Sequence, residues 1–78
     1  MTAVAFDEDL DCRGLACPLP KFKTKQAIDS IESGKVLRMV STDPGSVKDM
    51  DAWLRQTGHT LQEHIVEGSE FIYYVRKK

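Results

Sequence analysis

The chain changes from strand to helix within LDCRGLACPLP, residues 10–20. Proline is accepted in the first turn of a helix, because the backbone amides there have no intrahelical partner and its fixed φ suits the helix. We therefore expect Cys17 at the cap position, Pro18 as the first helical residue and Pro20 still inside the first turn. Gly14 supplies a flexible turn between the strand and this cap.

Cys17 is the candidate reactive residue. A thiol at a helix start faces the positive end of the helix dipole, which favours the thiolate, the nucleophilic form of cysteine. We expect its sulfur to accept a hydrogen bond from the Leu19 amide, as a cap side chain does. The alternative is that Cys17 is only a small cap residue, although Ser, Thr, Asp and Asn cap a helix better than Cys.

Length and composition indicate one small soluble domain over residues 1–78, with 41% hydrophobic and 29% charged residues. The net charge of −1 argues against a nucleic-acid partner, since such binding needs a basic excess. No apolar run is long enough to cross a membrane, and the first residues lack the pattern of a secretory signal. Two cysteines are too few for the disulfide framework of a small secreted protein. We therefore expect a cytoplasmic protein without a membrane partner.

Hydrophobic periodicity and turn residues predict four strands and two helices. The strands are predicted over residues 6–13, 36–41, 60–67 and 70–76, and the helices over 18–33 and 44–57. The first strand has an alternative start near Asp9, and the second helix a weaker alternative start at Ser46. Gly34 and Gly58 end the helices, and Gly68-Ser69 matches a two-residue hairpin turn.

The element order β-α-β-α-β-β predicts an α/β fold. A chain this short cannot cover both faces of a sheet, so we expect a two-layer α/β sandwich, with two helices on one face of a four-stranded mixed sheet. Apolar residues on both faces of the strand over 36–41 suit a central position in that sheet. Cys17 then lies between the end of a strand and the head of a helix, a usual place for chemistry in α/β folds.

The first helix is predicted to present two apolar surfaces. The side that should pack against the sheet carries Pro20, Thr24, Ala27, Ile28 and Ile31. Leu19 and Phe22 fall on a different side, near Cys17, which suggests a docking surface for a partner. The alternative for Phe22 is that it folds over the sheet edge and belongs to the core.

Several cations surround the candidate nucleophile in sequence. They are Arg13, Lys21, Lys23 and Lys25. Such groups could stabilise a sulfur anion and steer an acidic partner. The alternatives are a solvated lysine face, with Lys25 and Asp29 as an i,i+4 pair, and a structural pairing of Arg13 with Asp11 or a turn carbonyl.

The remaining chemical groups do not form a second site. Cys12 alternates with Leu10 and points toward the core, where cysteine behaves as a small apolar residue. The alternative is a resolving thiol that would form a disulfide with Cys17. His59 is expected in the turn after the second helix and His64 in a strand, and without a cysteine or acidic cluster they do not form a metal site.

Residues 10–20 resemble the signature of the TusA/SirA family of small sulfur carriers. The resemblance continues in Asp43-Pro44, in Gly58-His59 and in residues 73–77, so it covers nearly the whole chain. It implies the two-layer sandwich fold. It also implies that Cys17 takes sulfane sulfur as a persulfide from a cysteine desulfurase or a rhodanese, and passes it to the cysteine of a DsrE-like or TusD-like acceptor.

Family members serve tRNA thiolation, molybdenum cofactor supply or sulfur oxidation. The resemblance therefore implies a carrier component rather than a stand-alone enzyme, with no metal or organic cofactor, and a monomer suits a shuttle of this kind. The residues expected to support Cys17 are Arg13, Gly14, Pro18, Leu19 and Pro20, and those expected to dock partners are Lys21, Phe22 and Lys25. The competing interpretations are a protein-binding regulatory module without sulfur transfer, and RNA binding through the sheet.

Overall fold

The computed structural model of the protein describes residues 5–78. Its elements are β1 (Glu8–Cys12), α1 (Leu19–Asp29), β2 (Val36–Ser41), α2 (Ser46–Thr57), β3 (Thr60–Glu67) and β4 (Glu70–Arg76). This order confirms the predicted succession of strands and helices. Residues 1–4 of the predicted domain lie outside the described residues. Neither helix within 5–78 is long and apolar enough to span a membrane.

The four strands form one mixed sheet in the order β1-β2-β4-β3. β2 is central, as its two apolar faces predicted, and pairs parallel with β1 and antiparallel with β4. The parallel pairing sets Cys12, the last residue of β1, opposite Ser41, the last residue of β2. The loops that follow these two strands therefore leave the sheet at the same edge.

Both helices pack on one face of this sheet, as predicted. The core between the layers consists of Cys12, Ile28, Leu37, Met39, Met50, Trp53, Leu54, Tyr73 and Val75. Burying a side chain the size of Ile28 contributes about 1.5–3 kcal/mol relative to leaving it in water. Helix α2 contributes three of these side chains, Met50, Trp53 and Leu54.

The opposite face of the sheet carries a second, smaller cluster. Val40, Ile72 and Tyr74 are buried there, and Val36 and Ile65 pack against them. β3 and β4 join through Gly68-Ser69, and the positive φ of Gly68, 58°, fits the predicted turn with glycine first.

Helix α1 is shorter than the sequence predicted. It begins at Leu19 rather than Pro18, whose φ of −100° and ψ of 18° make it the N-cap. It ends at Asp29 rather than Ser33, because the Ser30 amide and hydroxyl both donate to the Ala27 carbonyl and close the last turn. Gly34 does not cap the helix directly: its amide donates to the Lys77 carbonyl at 2.8 Å.

The starts of α2 and β1 also differ from the favoured predictions. α2 begins at Ser46, the weaker alternative, because Asp43 starts a separate turn in which its carbonyl accepts the Ser46 amide at 3.0 Å. β1 spans Glu8–Cys12 rather than residues 6–13. Within this shorter strand, Leu10 and Cys12 face the core, as the alternation predicted.

Candidate functional site

Cys17 lies in the loop between β1 and α1, exposed to solvent. It is the residue before the N-cap, so the prediction that Cys17 itself caps the helix was wrong by one position. The peptide bond between Cys17 and Pro18 is cis, and Pro20 is buried within the first turn. Because Cys17 precedes the N-cap, its thiol lies outside the N-terminus of α1 and can contact residues of other segments.

The predicted hydrogen bond from the Leu19 amide to the sulfur is absent. That amide donates to the Ala16 carbonyl at 2.9 Å, closing a turn around Cys17. The thiol of Cys17 instead donates a hydrogen bond to Asp49 Oδ2, in the first turn of α2. The sulfur is thus a hydrogen-bond donor to a carboxylate, which reverses the role that the sequence predicted.

A second carboxylate holds the backbone of the same residue. The Cys17 amide donates to Asp43 Oδ2 at 2.6 Å, and the Gly45 amide donates to Asp43 Oδ1 at 3.3 Å. The Gly14 amide donates to Thr42 Oγ1 at 2.9 Å, which joins the same two loops earlier in the chain. Gly14 also has the positive φ expected of a turn, 80°. Two segments that are distant in sequence therefore fix the position of the thiol.

These contacts overturn the expectation of a stabilised thiolate. The hydrogen bond to Asp49 raises the pKa of the Cys17 thiol, since that bond exists only in the protonated form. Partial desolvation and the negative charges of Asp49 and Asp43 act in the same direction, and Lys21 opposes them. The surroundings of Cys17 therefore favour the thiol over the thiolate.

Arg13 forms ion pairs on the surface beside the loop. Its Nε is 2.7 Å from Glu70 Oε2 and its Nη1 is 3.3 Å from Asp11 Oδ1. The pairing with Asp11 is the structural alternative that the sequence left open, and the pairing with Glu70 adds a link to β4. Arg13 thus joins the end of β1 to the start of β4.

The side chains predicted to dock a partner lie on the surface of α1. Leu19 is 45% exposed and Phe22 52%, so Phe22 is not a core residue. The Lys21 Nζ lies 5.4 Å from the centre of the Phe22 ring, and Lys25 pairs with Asp29 at 3.0 Å. An apolar surface bordered by lysines therefore adjoins the Cys17 loop.

The other candidates are structural. Cys12 is fully buried and both cysteines are free, so the alternative of a disulfide is not realised. His59 Nδ1 accepts the Lys78 amide at 3.0 Å, and the ring of His64 stacks on Tyr73. Among residues 5–78, no three His, Cys, Asp or Glu side chains are grouped to hold a metal ion.

Asp43 and Asp49 were not predicted from the sequence as partners of Cys17. One signal was available: parallel strands place their carboxyl ends at one edge, so the loops after the first two strands should meet. That rule points to the segment after Ser41, although it does not select Asp49.

Comparison with known proteins agrees with the sequence resemblance. Residues 8–77 match the family described as Sulfurtransferase TusA. The chain is 47% identical over 72 residues to the sulfur carrier protein TusA of Allochromatium vinosum, covering 92% of this chain and 95% of that protein. It is 41% identical over 71 residues to a putative sulfur carrier protein of Bacillus subtilis, covering 91% and 95%.

A solved structure shares the fold. The SirA-like protein from Desulfitobacterium hafniense superposes with a TM-score of 0.77, covering 90% of this chain and 96% of that one, at 18% identity. The sequence matches, which extend over nearly the whole chain, and this common architecture lead to one conclusion. The chain belongs to the TusA/SirA family of sulfur carrier proteins.

Proposed function

We propose that Cys17 carries sulfane sulfur as a persulfide between a donor protein and an acceptor protein. The observation that supports this most directly is the exposed thiol on the loop between β1 and α1, which forms no disulfide. Such a thiol is accessible to an incoming protein sulfur, whereas a buried one is inert. Family membership supports the same assignment.

The loading step is thiol–persulfide exchange. The Cys17 thiol loses its proton, and the thiolate attacks the outer sulfur of the donor's persulfide. A new S–S bond forms at Cys17, the donor's S–S bond breaks, and the donor cysteine leaves as a thiolate. Unloading repeats the exchange, with the acceptor's cysteine as the nucleophile and Cys17 as the leaving group.

The donor is proposed to be a cysteine desulfurase or a rhodanese, and the acceptor a DsrE-like or TusD-like protein. Support comes from the family resemblance, and the exposed Leu19 and Phe22 beside the loop offer a contact area. The acceptor in turn sets the destination of the sulfur, which is tRNA thiolation, molybdenum cofactor supply or sulfur oxidation. We propose a cytoplasmic setting, where reducing conditions keep both cysteines free.

The test is to incubate the protein with a cysteine desulfurase and free cysteine, and then to measure its intact mass. We expect the mass of one added sulfur, lost on reduction, and located on Cys17 after digestion. Cys12→Ala is the matched control and should still load. Loading of Cys17→Ser, or no loading of the wild-type protein by either donor class, would contradict the proposal.

The exposed Leu19 and Phe22 also favour a second candidate, a protein-binding regulatory module that transfers no sulfur. In that case Cys17→Ser would retain both partner affinity and cellular function. Under the sulfur-carrier proposal the same variant keeps its affinity for the donor but loses function. A complementation assay with Cys17→Ser therefore separates the two candidates.

A further inference from the structure

The thiol of Cys17 contacts the first turn of α2, although Cys17 lies next to α1 in the sequence. Asp49, on that turn, accepts the hydrogen bond of the thiol, while Asp43 accepts the hydrogen bond of the Cys17 amide. One carboxylate therefore fixes the backbone and the other contacts the reacting atom. Neither residue was expected from the sequence to do so.

The charged groups around the sulfur come from three segments. Asp43 lies in the loop after β2, Asp49 on α2 and Lys21 on α1. Two negative charges thus oppose one positive charge, and the negative charge nearest the sulfur is directly hydrogen-bonded to it. A thiolate formed at this position would face the Asp49 carboxylate without a proton between them, which is unfavourable.

We propose that Asp49 controls the protonation state of Cys17: it holds the sulfur as a hydrogen-bonded thiol in the free protein, and releases it as a thiolate when a cationic side chain of a docked protein pairs with the Asp49 carboxylate. The release of the thiolate on docking rests on the sulfur-carrier function proposed above. The effect of Asp49 on the thiol of the free protein does not depend on that function.

The release of the thiolate is a deprotonation of Cys17. The S–H bond of Cys17 breaks, its proton passes to solvent, and the electron pair stays on sulfur for the attack on the donor's persulfide. A guanidinium or ammonium group on the partner would form a charge-assisted hydrogen bond with Asp49, which removes the acceptor that favoured the thiol. The carrier would therefore react slowly with small electrophiles and faster with a docked protein.

The first test is the pH profile of alkylation by iodoacetamide, a neutral reagent, with the modified cysteine located by mass spectrometry. Asp49→Asn keeps a hydrogen-bond acceptor but removes the charge. We expect its profile to shift to lower pH, and its rate at neutral pH to rise roughly threefold to tenfold, the effect of one charge at contact distance from a surface group.

Two further variants serve as controls. Asp51→Asn removes another carboxylate from α2, one that pairs with Arg55 at 2.8 Å, and should leave the profile unchanged. Asp49→Glu restores the charge and should return the profile toward that of the wild-type protein. Identical profiles for Asp49→Asn and the wild-type protein, with unchanged urea midpoints, would overturn the proposal.

The second test uses the desulfurase as the probe. In Asp49→Asn, loading by the desulfurase should rise less than alkylation does, because the donor already neutralises Asp49 in the wild-type protein. An equal rise in both rates would refute the role of the partner's cation. Failure of the wild-type protein to load would instead refute the sulfur-carrier function, and the alkylation profiles would still decide the role of Asp49 in the free protein.

Discussion

Cys12 and Cys17 lie only five positions apart, yet their environments differ completely. Burial in the core raises the pKa of Cys12, with the charge of Asp11 adding to the effect. The hydrogen bond to Asp49 raises the pKa of Cys17, which is exposed. Both pKa values are raised, but burial is the main cause for Cys12 and a hydrogen bond is the main cause for Cys17. A docked partner can neutralise a surface carboxylate, whereas only unfolding removes the burial of a core residue.

The largest expected difference between the two thiols is in their reaction with iodoacetamide under native conditions. Cys17 should react at least about a hundred times faster than Cys12, because Cys12 becomes accessible only through opening of the core. Digestion and mass spectrometry of samples taken at intervals give the two rates. In concentrated urea the rates should converge, and a difference that persisted there would show that burial is not the cause.

The next effect is on stability. Cys12→Ser places a hydroxyl in the core and should lower the free energy of unfolding by about 1–3 kcal/mol. Cys17→Ser, at an exposed position, should change it by less than about 0.5 kcal/mol. Urea denaturation followed by circular dichroism measures both. Equal losses for the two variants would mean that Cys17 supports the fold as much as Cys12 does.

The smallest effect is a dependence of stability on alkaline pH. The pKa of each cysteine is raised in the folded state, by burial for Cys12 and by the hydrogen bond to Asp49 for Cys17. Above about pH 8.5, the ordinary pKa of cysteine, the unfolded chain therefore binds fewer protons than the folded one. Stability is therefore fully present below that pH and decreases as the pH rises through the higher pKa of the folded state. We expect the urea midpoint to decrease as the pH rises above about 8.5.

Comparing variants assigns this loss to one cysteine or the other. Cys12→Ala should flatten the decrease more than Cys17→Ala does, because the core excludes water from Cys12 while Cys17 remains solvated. Urea midpoints at several pH values give the slopes. A steeper decrease in Cys12→Ala than in the wild-type protein would contradict the assignment.

Local sequence signals were sufficient to predict the elements and layers of this fold. Turn residues separated the elements, and alternation along β1 correctly placed Cys12 in the core. These signals predicted the first residue of each helix less well. A separate turn, closed at the carbonyl of Ala16 or Asp43, precedes each helix. The identity of Cys17 as the exposed thiol followed from its position between a strand and a helix.

The sequence by itself indicated the Cys17 sulfur as the candidate reactive atom and determined which layer each element joins, because periodicity and turn chemistry act over a few neighbouring residues. Only the tertiary structure decided the electrostatics of that atom. The parallel pairing of β1 with β2 brings the segment containing Asp43 and Asp49 against the Cys17 loop. The ionisation of a thiol depends on charges close to it in space, and residues far away in sequence supply them here.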